Sequence, residues 1–120
     1  MRRWLPLLLV LSLTSPALAQ QVRRGQIDYS YAILTKTATY SVAATDGQNV
    51  LVLASNTITI NLYAVAGNTG KTVTVKNVGA GTITLDANAS ETIDGALTQT
   101  ITAANQTLTL VCTGSAWVLV

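Results

Sequence analysis

The sequence predicts an all-β fold, an antiparallel β-sandwich or jelly roll of about eight short strands. From residue 36 to residue 120 a polar residue, often threonine, alternates with an aliphatic one, which is the two-residue period of a strand with one buried face. Glycine-bearing turns separate these segments, and none after Gln20 carries the 3.6-residue apolar stripe of a helix. Short strands without intervening helices are typical of sandwiches and jelly rolls.

The segments with the length and alternation of strands can be placed individually. In chain order they are residues 37–42, 50–54, 57–62, 72–76, 82–86, 98–102, 107–112 and 117–120. A β-solenoid is the alternative, because Thr57-Ile-Thr-Ile, Thr72-Val-Thr-Val, Thr82-Ile-Thr-Leu and Thr107-Leu-Thr-Leu look like copies of one unit. The copies are unequally spaced, however, so the fit of threonine to a pleated surface with one wet face explains them better.

The N-terminus has the layout of a targeting segment. Arg2 and Arg3 precede an apolar run over residues 4–13, and the small residues Ala17 and Ala19 predict cleavage after Ala19. The run is shorter than the about 20 apolar residues that span a bilayer, so no permanent membrane span is expected. Residues 1–19 are interpreted as a signal peptide or a hydrophobic N-terminal arm, residues 20–35 as an arm or linker, and residues 36–120 as the β-sandwich domain.

The charged residues argue against nucleic acid and against catalysis. Without residues 1–19, five basic residues balance five acidic ones, so no basic stripe remains to bind phosphates. The sequence has no histidine, the commonest general base and transition-metal ligand. We therefore expect a non-catalytic protein without cofactor or metal. The weakest alternative is a small hydrolase that uses the acidic residues Asp86, Glu91 and Asp94.

Cys112 is the only cysteine and lies in an apolar run. A buried, inert thiol is the preferred interpretation, because cysteine in such a run behaves as a small hydrophobe. The alternative is an intermolecular disulfide in an oxidising compartment.

Two groups of segments carry a resemblance to a known family. The first half contains Thr39-Tyr40-Ser-Val42, residues 50–54, Thr57-Ile-Thr-Ile-Asn-Leu62 and Gly70-Lys-Thr-Val-Thr-Val-Lys-Asn77. The second half contains Glu91-Thr-Ile-Asp-Gly95, a Thr107-Leu-Thr-Leu-Val strand and Thr113-Gly-Ser-Ala-Trp117-Val-Leu-Val120. In this order, over roughly residues 35–120, they resemble a module of bacteriophage tail-fibre and other virion-surface proteins.

The resemblance implies a β-sandwich that commonly assembles as a trimer and serves attachment or decoration of the particle. Its motif residues are expected to be structural; they are Tyr40, Gly70, Thr92, Ile93, Asp94, Gly95 and Trp117. Burial of Trp117 would require a partner for its indole N–H. Ligand contacts are expected instead from the loops at residues 64–70, 88–91 and 103–106, because loops vary while a rigid sheet positions them.

Two functions follow as expectations. The first is a virion-surface structural or attachment module, tail-fibre-like or capsid-decorating, whose partners are copies of itself, virion proteins or a host-surface receptor. The second is a secreted or periplasmic bacterial module with the same fold that binds glycans or adheres to surfaces. A glycan binder should group its aromatic side chains on one loop face, and Tyr29, Tyr31 and Tyr63 are the candidates.

Overall fold

The computed structural model describes residues 30–120, and within this range it contains nine strands and one short 3₁₀ helix. The strands are β1 (Ala32–Lys36), β2 (Tyr40–Ser41), β3 (Asn49–Ala54), β4 (Ile58–Asn61), β5 (Thr72–Asn77), β6 (Ile83–Asp86), β7 (Thr98–Ile101), β8 (Thr107–Cys112) and β9 (Trp117–Leu119), and the 3₁₀ helix is Ala44–Asp46. The predicted N-terminal segment 1–19 and residues 20–29 lie outside the described residues. No helix within residues 30–120 is long and apolar enough to cross a membrane.

The prediction of an all-β fold is confirmed. All eight predicted strands are present, and seven of them agree with β3 to β9 within one residue at each end. Only two residues of the predicted segment 37–42 form β2. Strand β1 was missed, and it begins four residues before the predicted domain start at Lys36. It begins with three consecutive apolar residues, Ala32-Ile-Leu. The alternation of less and more exposed positions along the strand is therefore not visible in its sequence.

The nine strands form two sheets. The five-stranded sheet has the order β1-β3-β5-β8-β9, and the four-stranded sheet has the order β2-β4-β6-β7. The first six strands alternate between the sheets, and β1, β2, β3 and β4 each pair in parallel with the strand two positions later. The remaining pairs, β5 with β8, β6 with β7 and β8 with β9, are antiparallel. The prediction of an antiparallel sheet is therefore wrong for the first six strands and correct for the rest.

The first six strands thus wind as a superhelix of parallel strands, hereafter the coil, in which each turn places one strand in each sheet. This is the β-solenoid arrangement, against which the unequal spacing of the segments argued. Successive parallel pairs are offset by 18 residues (Ala32 with Val50), 20 (Tyr40 with Ile60), 23 (Asn49 with Thr72) and 25 (Ile58 with Ile83). Most of the variation lies in the connections: residues 42–48 join β2 to β3, whereas residues 62–71 join β4 to β5. A fixed period is not required when turns of different length return the chain to the same register.

One hydrophobic core lies between the sheets. Each sheet directs alternate aliphatic side chains inward, such as Val50 and Val52 from β3 and Ile58 and Ile60 from β4. Trp117 and Leu110 from the antiparallel strands belong to the same buried cluster. Full burial of each such side chain contributes about 1.5–3 kcal/mol, so the shared core holds the parallel and antiparallel parts together.

At one end of the coil a buried asparagine ties the turns together. The Asn77 side chain is fully buried and donates from Nδ2 to Gly81 O at 2.7 Å and to Ile101 O at 3.2 Å. Its Oδ1 accepts from Gly79 N at 3.1 Å. Because burial of an unpaired amide is costly, these three bonds fix the path of the β5–β6 turn and its contact with β7.

Candidate functional site

A row of polar side chains crosses the outer face of the four-stranded sheet where its parallel strands end. Ser41, Asn61 and Asp86 are the last residues of β2, β4 and β6, and the register places them side by side. Adjacent strands are about 4.8 Å apart, so the three side chains form a continuous polar row. The row exists because the strands run in parallel, since parallel strands end at the same edge of a sheet.

Buried apolar residues directly follow the polar row. Val42, Leu62 and Ala87 each come one residue after a strand end, and all three belong to the core cluster. Val42 N donates to Asn61 O at 2.9 Å, and Leu62 N donates to Asp86 O at 2.8 Å. These bonds extend the backbone hydrogen-bond ladder of the sheet by one residue beyond the strands, and they fix the backbone next to the polar row.

A cavity of about 490 Å³ opens at this edge of the sheet. It is lined by the polar row, by the three residues that follow it, and by residues of the two next connections; these last are Tyr63, Asn88 and Ala89. The volume lies within the range of small-molecule sites in proteins. This cavity is the candidate binding site.

The cavity offers hydrogen-bonding groups that the protein leaves largely unused. Asn61 Nδ2 donates to Ser41 Oγ at 3.2 Å, while Asn61 Oδ1 has no partner among residues 30–120. The Asp86 carboxylate is half-buried and likewise has no hydrogen-bond partner in the described chain. No lysine or arginine lines the cavity. The site therefore presents free acceptors and one negative charge to a ligand.

Tyr63 forms part of the cavity wall and also reaches toward the core. Its ring packs edge-to-face on Trp117 with the ring centroids 5.2 Å apart. The Tyr63 hydroxyl is buried without a hydrogen-bond partner among residues 30–120, and burial raises the pKa of Tyr63 to about 12. The hydroxyl faces away from solvent, so Tyr63 contributes ring surface to the cavity wall.

The structure brings together two of the three loops that were expected to contact a ligand. Glu91 accepts from Val65 N at 3.2 Å, which joins the loop at residues 88–91 to the loop at residues 64–70. The loop at residues 103–106 lies at the other end of β5, where Asn77 N donates to Gln106 O. Sequence reasoning missed Ser41 and Asn61 and considered Asp86 only as a carboxylate of a hydrolase, because only parallel pairing aligns the three residues.

The predicted motif residues fall into one cluster and two separate positions. Thr92 O accepts from Trp117 N at 2.9 Å, and Asp94 N donates to Trp117 O at 3.0 Å, so residues 92–94 run along the free edge of β9. Asp94 Oδ1 also accepts from Leu119 N at 3.1 Å, and Ile93 and Trp117 are fully buried. Gly95 turns the chain after this segment with a φ of 86°.

The two other motif residues lie apart from this cluster. The Tyr40 hydroxyl donates to Asp46 Oδ2 at 2.7 Å, and Lys36 Nζ stands 3.8 Å from the centre of the Tyr40 ring. Gly70 has a φ of 87°, and its N donates to Cys112 O at 2.8 Å. These contacts join neighbouring segments of the chain and do not line the cavity.

The other candidate groups do not converge on a reactive site. Glu91 and Asp94 use their carboxylates on backbone N–H groups of two different segments, and only Asp86 lines the cavity. The described chain contains no group of three or more acidic, cysteine or histidine residues placed to hold a metal ion. Cys112 is buried as predicted, and its thiol donates to Val65 O at 3.4 Å.

Two of the three tyrosines proposed for glycan contact, Tyr31 and Tyr63, are described by the structure, and they are not grouped. Tyr31 is half exposed beside β1 in the five-stranded sheet, whereas Tyr63 lies at the cavity, beyond the end of β4 in the other sheet. Tyr29 lies outside the described residues. Of the two tyrosines that the structure describes, Tyr63 lines the cavity and Tyr31 does not.

The outer faces of the two sheets differ in chemistry. The outward residues of the four-stranded sheet are all polar: Ser41, Thr59, Asn61, Thr84, Asp86, Thr98 and Thr100. The outer face of the five-stranded sheet is mixed. Its aliphatic residues are Ile33, Leu51, Leu53, Val111, Val118 and Val120, and its uncharged polar residues are Thr35, Asn49, Thr72, Thr74, Thr107 and Thr109. Lys76 is the one charged residue on that face among residues 30–120. Ile33 is 63% exposed and Val120 is 80% exposed.

Comparison with known proteins assigns the chain to no family: no family model matches it, and neither a curated protein nor a solved structure does.

Proposed function

We propose that this chain is a non-catalytic β-sandwich module of a virion surface, a tail-fibre-like or capsid-decorating protein that assembles with copies of itself. The observation that carries the proposal is the difference between its two outer faces. A component of a surface assembly needs one face that contacts the neighbouring subunits and another that is exposed to binding partners. The aliphatic face of the five-stranded sheet suits the first role, and the polar face with its cavity suits the second.

The aliphatic face has the size and charge of a self-association surface. Five strands about 4.8 Å apart, with about five residues of 3.3 Å each, give a face of roughly 400 Å². About half of its outward residues are aliphatic, in one group on β1 and β3 and another on β8 and β9, with the polar outward residues of β5 between them. Grouped exposed apolar residues commonly mark interaction sites. A homo-oligomer brings identical or adjacent patches together, so a face with Lys76 as its one charge carries little like-charge repulsion. Strand β1 is the edge strand of this sheet, and one of its backbone edges pairs with no other strand among residues 30–120.

The proposal is tested by the mass of the protein in solution. Light scattering during size-exclusion chromatography of the full chain should give a homo-oligomer, with a trimer expected. Ile33→Lys places a charge on the aliphatic face and should weaken association by tenfold or more. Thr100→Lys is the matched control, since Thr100 is an exposed strand residue on the polar face, and it should leave the mass unchanged.

Two outcomes would contradict assembly through this face. One is a wild-type chain that stays monomeric at high concentration. The other is an Ile33→Lys protein that associates as strongly as the wild type. The virion location has its own test, because the chain should be recovered by mass spectrometry from purified particles and its gene should lie among capsid or tail genes.

A second function, an exported bacterial binding module, is favoured by the free Asp86 carboxylate and the cavity around it. The N-terminal sequence discriminates the two. Intact mass of the native protein that lacks residues 1–19, together with a monomer in solution, supports export of a binding module. Retention of these residues in a particle-bound oligomer supports the virion function.

A further inference from the structure

We propose that the cavity at the end of the four-stranded sheet binds a neutral carbohydrate. This inference rests on the proposed attachment function and names the class of ligand that the cavity takes. The groups that carry it are the Asp86 carboxylate, the Asn61 amide and the Ser41 hydroxyl, with the Tyr63 ring beside them.

The charge of the cavity selects against anions. Asp86 is its one ionisable carboxylate, and no cationic side chain lines the wall. Lys71 Nζ stands 6.0 Å from the centre of the Tyr63 ring, but it donates to Ala44 O and does not line the cavity. A phosphate, a sulfate or an acidic sugar would therefore bring a second negative charge next to Asp86 with no cation in the cavity wall. At short range in a partly buried site this repulsion amounts to several kcal/mol at an effective dielectric of about 20.

The ligand groups present also select against a bound metal ion. Calcium takes about six to eight oxygen ligands and depends on several carboxylates for its affinity. The cavity supplies one carboxylate, and Glu91, the nearest acidic residue in sequence, is bound to Val65 N in the adjoining loop. A ligand that contributes many hydrogen-bond donors and no charge fits the free acceptors better.

Sugar hydroxyls complete the hydrogen bonding of the polar row. The Asp86 carboxylate and Asn61 Oδ1 are acceptors without partners among the described residues, and hydroxyl groups can donate to both. Asn61 and Asp86 are register partners on neighbouring strands, which lie about 4.8 Å apart, so one sugar ring can reach both side chains. A charged acceptor forms the stronger of the two bonds, so Asp86 should contribute the larger part of the affinity.

Apolar surface lies beside the acceptors, as a sugar ring requires for its C–H faces. Ala87 and Ala89 alternate with Asp86 and Asn88 along the rim, and Tyr63 adds ring surface. Because the Tyr63 hydroxyl is buried, its role here is packing only. The lining of the cavity is mostly polar with a smaller apolar share, so hydrogen bonds to the polar row should supply most of the affinity.

The test is titration of the full chain, uniformly labelled with ¹⁵N, with six neutral sugars: glucose, galactose, mannose, rhamnose, N-acetylglucosamine and N-acetylgalactosamine. At least one should shift the amide signals of residues 41–42, 61–63 and 86–89 in a saturable manner. Asp86→Ala should weaken that binding tenfold or more, and Asn61→Ala should weaken it less. Thr100→Ala lies on the same sheet face outside the cavity, and it should bind as the wild type does.

Several outcomes would overturn the inference. They are no saturable shift with any of the six sugars, shifts at residues outside the cavity, and unchanged binding by Asp86→Ala. Sialic acid and calcium chloride are titrated in parallel, and a saturable response at the cavity to either one alone also contradicts it. Asp86→Asn keeps the size of the side chain, so a loss of binding in a variant that melts like the wild type is not caused by unfolding.

The sugar titration and the measurement of oligomeric state can fail separately. A sugar-binding chain that stays monomeric would uphold the carbohydrate site and contradict the virion-surface assembly. An oligomer that binds none of the sugars would do the reverse.

Discussion

Two aromatic residues meet in the core with polar atoms that the described chain does not satisfy. Trp117 is fully buried, as expected, but the prediction that its indole N–H would find a partner is wrong within residues 30–120. The hydroxyl of Tyr63, whose ring packs on Trp117, is also buried without a hydrogen-bond partner among these residues. A buried donor without a partner costs about 1–3 kcal/mol, so the apolar contact of the two rings has to offset that cost.

Tyr63→Phe should therefore leave the free energy of unfolding at pH 7 unchanged or raise it by up to about 1 kcal/mol, because the ring is kept and the unpaired hydroxyl is removed. Tyr40→Phe is the matched control. It removes a hydroxyl bonded to Asp46 Oδ2, and it should lower the free energy of unfolding by about 1 kcal/mol. Urea denaturation measures both. A larger loss in Tyr63→Phe than in Tyr40→Phe would contradict this account.

Tyr63 also makes the stability of the protein depend on pH in the alkaline range. Burial raises the pKa of Tyr63 to about 12 in the folded protein, whereas an unfolded tyrosine ionises near its usual pKa of 10. Stability from Tyr63 is therefore complete below pH 10 and is lost as the pH rises toward 12. Melting temperatures between pH 9 and 12 should fall less steeply in Tyr63→Phe than in the wild type.

At the scale of elements, the coil depends on close contact between consecutive turns. The turn between β5 and β6 lies on the turn between β3 and β4, and Val78 N donates to Ala54 O at 2.8 Å. A Cβ atom on Gly81 would lie 2.6 Å from Thr57 N and 2.7 Å from Asn56 O, both backbone atoms. Only glycine allows the turns to approach this closely.

Gly81→Ala should consequently destabilise the protein by more than about 2 kcal/mol, since two turns must separate. Gly67→Ala is the comparison, because Gly67 has a φ of 76° and open space around its Cβ position. The conformational cost there should be about 1–2 kcal/mol. Thermal and urea denaturation of the two variants give the difference. If Gly81→Ala were the milder change, the turns would not be in close contact.

The positions of the strands could be predicted from the sequence, whereas their pairing could not. Segments such as Thr107–Cys112 were placed correctly because alternation and flanking turns are local properties. Whether β3 pairs with β4 or with β5 is not local, and the alternation is the same for parallel and antiparallel neighbours. The candidate site depends on that pairing. Ser41, Asn61 and Asp86 are far apart in the sequence, and only the register of β2, β4 and β6 places them together.

At the scale of the whole molecule, the parallel coil and the antiparallel strands share one core. Leu110 and Trp117 from β8 and β9 pack in the same cluster as Val50 and Ile60 from the coil. Strands β8 and β7 also continue the sheets directly from β5 and β6. Removal of either part would expose the apolar face of the other.

We therefore expect the described chain to unfold in one cooperative transition. In a Trp4→Phe background, tryptophan fluorescence reports on Trp117 alone, and far-UV circular dichroism reports on all the strands. The two signals should give the same midpoint in urea. Separate midpoints would mean that the antiparallel strands detach before the coil unfolds.

The unequal turns of the coil have a consequence for how the fold can vary. Strands two positions apart keep their pairing whether 18 or 25 residues separate them, so the register is held by the strands and the connections are free to change in length. The ten-residue connection at residues 62–71 begins beside the cavity. Insertions there would enlarge or reshape the rim of the site while the sheets stay intact, which makes the fold a suitable scaffold for displaying grafted loops.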